Sequence, residues 1–122
     1  IMAIFRGDYH LDRAIDAGIA IRDQIMNLQP EHGFQPKVSI GIHSGQMIYG
    51  NIGSTTLKRL DFTVIGDVVN TAQRLQSIAK PNQLLIAESC YEQVKQSFKC
   101  EFVGTVSLKN KENDHVVYEV IS

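Results

Sequence analysis

Gly66 constrains this chain more than any other residue, because it separates an apolar strand from a helix whose faces differ sharply. Leu60 to Ile65 reads as a strand of β-branched and aromatic residues that stops at Gly66. Asp67 then supplies an N-cap for a helix over about Val68 to Lys80, which ends before Pro81. At 3.6 residues per turn, Val68, Ala72, Leu75 and Ala79 fall in one stripe about 60° wide, the expected core face. Asn70 and Arg74, four residues apart, project together from the opposite face. A solvated polar face is the commoner meaning of such a pair. The alternative is an amide and a fixed guanidinium fork aimed at one anion, for which arginine suits phosphate best.

The rest of the pattern interleaves strands and helices. Ile1 to Phe5 reads as an apolar strand that opens without lead-in or cap, so the start of the domain is expected upstream. A helix follows from about Leu11 to Leu28, with Leu11, Ala14, Ile15, Gly18, Ile21, Ile25 and Leu28 at three- and four-residue steps. Pro30, Gly33 and Pro36 end it. Val38, Ile40 and Ile42 alternate with small or polar residues as a strand, and Gln46 to Ile52 is a second strand. After the central helix come a strand at Gln83 to Ala87 and a short helix at Ser89 to Gln96. Two further strands, Glu101 to Leu108 and His115 to Ile121, close the chain. This order predicts a single α+β domain over residues 1–122, a sheet with helices packed on one face.

Composition excludes several functions. The formal net charge of -1 gives no field to hold nucleic acid or an anionic membrane. Aromatics at 7% do not supply the stacking platform of a ferredoxin-like nucleic-acid-binding sheet. Cys90 and Cys100 lack metal-ligand spacing and suit a reduced, cytoplasmic chain. No apolar run approaches the roughly 18 residues of a membrane span, so no membrane contact is expected from this segment. If the parent protein is anchored, the anchor lies elsewhere.

The run Arg59-Leu60-Asp61-Phe62-Thr63-Val64-Ile65-Gly66-Asp67-Val68-Val69-Asn70-Thr71-Ala72-Gln73-Arg74-Leu75 resembles the signature of class III adenylate and guanylate cyclases. Gly41-Ile42-His43-Ser44-Gly45 and Gly50-Asn51-Ile52-Gly53 resemble that family's glycine-punctuated hairpin, and Met2-Ala3-Ile4-Phe5 its third strand. The resemblance covers essentially the whole chain in order. It implies a ferredoxin-like cyclase fold with an antiparallel or mixed sheet, lacking its N-terminal part.

The resemblance also implies a chemistry. Family members cyclise a nucleoside triphosphate: the ribose 3′-oxygen attacks the α-phosphorus and pyrophosphate leaves. No covalent enzyme intermediate forms, so positioning and charge stabilisation carry the rate. Asn70 matches the residue that orients the ribose, and Arg74 the one that stabilises charge on the α-phosphate. Lys109 matches the group that holds the terminal phosphates, with Arg59 a candidate for the same task across a dimer interface. Thr63, with Val64 beside it, matches the purine-reading position. A hydroxyl there can bond the adenine edge, whereas guanylate cyclases typically place cysteine, so ATP is the expected substrate. An ordinary β-branched strand residue is the other meaning of Thr63.

Two departures stand out. Asn110 replaces the glycine that usually follows the hairpin lysine, and asparagine tolerates left-handed backbone nearly as well. More seriously, the two metal-binding aspartates and the base-reading lysine belong to a segment before Ile1. Asp8 and Asp12 do not match them. Two Mg²⁺ or Mn²⁺ ions are expected in the intact domain with ligands outside this chain, and the 122-residue chain alone is expected to be inactive. The partner implied is a second protomer, in a head-to-tail homodimer with composite sites. The competing expectation is a catalytically silent cyclase-like module that dimerises and regulates.

Overall fold

The computed structural model describes residues 1–28, 33, 35–45, 48–51, 62–65, 67–107 and 114–122, with backbone alone at 48–51, 62–65 and 114. Helix α1 (His10–Met26) is followed by strands β1 (Ile40–Ile42), β2 (Ile48–Asn51) and β3 (Phe62–Ile65). Helix α2 (Asp67–Ile78), strand β4 (Leu84–Ala87), helix α3 (Glu88–Val94) and strands β5 (Cys100–Ser107) and β6 (Asp114–Val120) complete the order. Four strands form a mixed sheet in the order β1-β4-β6-β5. β1 runs parallel to β4, pairing Gly41 with Leu85, while β6 lies antiparallel to both β4 and β5. β2 and β3 make a separate antiparallel ribbon that pairs Thr63 with Gly50 and Val64 with Tyr49.

β4 organises the core because all four of its residues are buried. Successive strand side chains point to opposite faces, so Leu84 and Ile86 go one way and Leu85 and Ala87 the other. On the first face they join Leu11 and Ile15 of α1, Cys90 and Val94 of α3, and Val120. On the second, Leu85 and Ala87 meet Leu75 of α2 and Val117. The mixed sheet of the expected fold is present. Its helices, however, are not all on one face: α1 and α3 cover one side and α2 the other. A continuous apolar run such as Leu84-Leu85-Ile86-Ala87 is what burial on both faces demands.

Three local expectations change. Residues 1–6 carry no regular secondary structure and Ile1 to Ala3 are exposed, so the apolar opening is not a strand here. A strand exists only as part of a hydrogen-bonded ladder, and apolar composition does not supply the neighbour. In α1 the buried stripe is Leu11, Ile15, Gly18 and Arg22, while Ile21 and Leu28 are half exposed. In α2 the buried residues are Val68, Thr71 and Leu75, and Asp67 lies inside the first turn, where its charge suits the helix dipole.

Candidate functional site

The helix that carries the expected catalytic pair is held by its apolar face. Leu75 is fully buried against Leu85 and Ala87 of β4 and over Gly41 of β1, and Val68, nearly buried, lies against Gly45 just after β1. With that face fixed, Asn70 and Arg74 are exposed on the same helix, one turn apart. Side chains at this spacing have Cβ atoms about 6 Å apart, close enough to engage one ligand together. Arg74 also belongs to the backbone of the last turn, where its carbonyl accepts from Ser77 Oγ at 2.8 Å. The pair thus offers an amide and a permanent cation, on a rigid element, to solvent.

β3 leads into α2 after a single intervening residue, so the ladder position of Thr63 and Val64 lies directly before the helix in sequence. Their backbone register is opposite Gly50 and Tyr49. Arg59 and Lys109 lie outside the described residues. The structure therefore describes Asn70 and Arg74 as a pair and Thr63 and Val64 by backbone register.

Sequence reasoning passed over Thr71. It is 5% exposed and lines a cavity of about 330 Å³ with His43, Glu88, Ser89 and His115. Thr71 follows Val68 by three and precedes Leu75 by four, so the helical period was the signal that could have placed it inward. Behind His43, Cys90 Sγ lies 3.7 Å from Nδ1. Burial pushes the Cys90 thiol above its ordinary value, opposed in part by hydrogen bonds from Ser44 and Ser89. A thiol held protonated is a packing group and not a nucleophile.

Among the described residues no three His, Cys, Asp or Glu side chains come together as a metal site. Asp8 is exposed and Asp12 half-buried, at the start of α1. Asp8 and Asp12 do not fit a two-metal centre. No helix of the described residues is long and apolar enough to cross a membrane.

Comparison with known proteins agrees with this geometry. The family model described as the adenylate and guanylate cyclase catalytic domain matches residues 2–121. An adenylate cyclase of Anabaena cylindrica is 34% identical over 133 residues, covering 98% of this chain and 26% of the relative. The receptor-type guanylate cyclase gcy-28 of Caenorhabditis elegans is 30% identical, covering 87% of this chain and 8% of the relative. Among solved structures, the guanylate cyclase domain of RhGC from Catenaria anguillulae in complex with GTP superposes with a TM-score of 0.79 at 26% identity. It spans 93% of this chain and 60% of that one. The adenylyl cyclase CyaB from P. aeruginosa gives 0.77 at 27%, over 93% and 59% respectively. The chain thus spans about a quarter or less of these curated relatives and about three-fifths of the solved domains. A match over nearly every residue, together with the shared sheet and helix arrangement, places this chain in the adenylate and guanylate cyclase catalytic-domain family.

Proposed function

We propose that this chain is the portion of an adenylate cyclase domain that orients and neutralises the nucleotide, in an enzyme that converts ATP to 3′,5′-cyclic AMP and pyrophosphate. In the reaction the ribose 3′-oxygen forms a bond to the α-phosphorus. The bond from that phosphorus to the bridging oxygen breaks, pyrophosphate departs, and the 3′-hydroxyl proton passes to solvent. Asn70 hydrogen-bonds the ribose, so that the 3′-oxygen faces phosphorus. Arg74 stabilises the negative charge that builds on the α-phosphate oxygens. Thr63 and Val64 read the adenine edge, and Lys109 and Arg59 hold the terminal phosphates.

The observation that carries this reading is the exposure of Asn70 and Arg74, one turn apart on a helix whose other face is buried. Support for adenine comes from Thr63 and from the Anabaena adenylate cyclase, which aligns with 98% of the chain. The site is completed in a homodimer, by residues of a second protomer. The Mg²⁺ or Mn²⁺ ions that the family resemblance implies are held by ligands outside the described residues.

The test uses the full parent protein with Mn²⁺ and either ATP or GTP. Cyclic AMP from ATP, with little product from GTP, is the expected outcome. Cyclic GMP as the dominant product would overturn the purine assignment. Absence of both products from a folded dimer would instead favour the silent regulatory module.

A further inference from the structure

Gly41 lies in β1 directly beneath α2. A Cβ built on it would stand 2.5 Å from the Ala72 carbonyl oxygen and 2.9 Å from Leu75 Cβ, and would also strike the Gln76 backbone nitrogen. Those neighbours are mostly helix backbone, which cannot rotate aside. Four residues on, a Cβ at Gly45 would stand 2.5 Å from Val68 Cγ2 in the first turn of the same helix. Neither glycine is among the described residues with positive φ, so space and not backbone freedom demands the missing side chain. The two glycines touch α2 at its first turn and its middle, and Asn70 and Arg74 lie within two residues of those contacts.

The strand side of this contact is pinned. β1 is held in register against β4 from Ile40–Leu84 to Ile42–Ile86. The loop after β1 is held from the opposite face of the sheet, where His10 Nε2 of α1 lies 2.6 Å from Ser44 Oγ. An added methyl group therefore has to be absorbed by α2. We infer that Gly41 and Gly45 are positioning residues for nucleotide cyclisation, setting how deeply α2 sits on the sheet and hence where Asn70 and Arg74 meet the substrate. This rests on the cyclase reading above.

Moving Ala72 out of contact requires a helix shift on the order of 1 Å, and misplacement of that size can cost roughly 100-fold in rate. The test compares kcat and KM of the full parent protein with those of Gly41→Ala and Gly45→Ala, at a temperature where circular dichroism shows each variant folded. The expected result is a fall in kcat on the order of 100-fold for Gly41→Ala, with KM within about threefold of wild type. In an Arg74→Ala background the same substitution should cost less than about threefold, because the group it misplaces is already gone. A purely structural loss would lower activity equally in both backgrounds and would overturn the proposal. So would wild-type kcat in folded Gly41→Ala.

If Gly41→Ala does not fold, the Gly45 pair decides. Gly45→Ala should slow kcat, and adding Val68→Ala, which deletes the clashing methyl group, should restore most of it. Failure of the second change to restore the rate overturns the inference. A wild-type protein that is folded but makes no cyclic nucleotide fails the cyclase reading itself, and the positioning role with it.

Discussion

The guanidinium of Arg22 donates to the carbonyl of Val120 at 2.7 Å, joining the middle of α1 to the end of β6 across 98 positions of sequence. A second donor of the same group reaches the Ile121 carbonyl at 2.6 Å, and Nε reaches Asp23 Oδ1 at 3.2 Å. With 7% exposure, Arg22 occupies the position in the α1 stripe where an apolar residue is expected. All three donor nitrogens are used, so burial of the charge is compensated and the C-terminal strand end is satisfied.

Removing that group should be costly. Arg22→Ala leaves two carbonyls without their charged donor and opens space against α1, so unfolding free energy should fall by about 2–4 kcal/mol. Urea unfolding followed by circular dichroism measures it. A change below about 0.5 kcal/mol would mean that water replaces the guanidinium without loss.

The two faces of β4 should be separable by mutation. Ile86→Ala empties the space between the sheet and α1 with α3, whereas Leu85→Ala empties the space beneath α2. Each should cost about 2–5 kcal/mol, as buried large-to-small changes do. Leu85→Ala alone should also lower cyclase turnover at temperatures where both variants remain folded, since it loosens the helix that bears Asn70 and Arg74. Equal losses of turnover would contradict the two-sided arrangement.

Alkaline stability should depend on Cys90. Burial raises its thiol above the ordinary value of 9.0, so the native state retains a proton that the unfolded chain releases. The unfolded state then binds fewer protons, and stability falls as pH rises through and beyond about 9. Burial raises Cys100 in the same direction. Cys90→Ala should flatten the decline between about pH 8.5 and 10, measured as midpoint against pH, although it lowers stability overall. An unchanged slope would show that other groups govern the alkaline limb.

Much of the helical structure was legible in sequence. The stripe of Val68 and Leu75 settled both the existence of α2 and the outward placement of Asn70 and Arg74, because a helix with one apolar face has one way to dock. Thr71 and Arg22 were passed over because only apolar residues were placed on the core stripes, although both occupy inward positions of the helical period. The carbonyls that accept from Arg22 lie at the far end of the chain, and local pattern contains no sign of them. Ile1 to Phe5 has strand composition without a described ladder partner, which composition cannot report. The parallel pairing of β1 with β4, and α2 on the opposite face from α1, follow from tertiary contacts alone. Of the expected substrate contacts, Arg59 and Lys109 lie outside the described residues.

In the proposed function α2 presents a catalytic pair, Asn70 and Arg74, and not a solvated face. The direct measurement is cyclic AMP formation by the full parent protein from ATP with Mn²⁺, set against Asn70→Ala and Arg74→Ala. Loss of a transition-state contact of this kind costs roughly 100- to 1,000-fold, so each variant should drop by that order. Both side chains are exposed, so thermal stability should stay within about 0.5 kcal/mol of wild type. Variants that keep wild-type turnover, in a parent protein that does make cyclic AMP, would contradict the account.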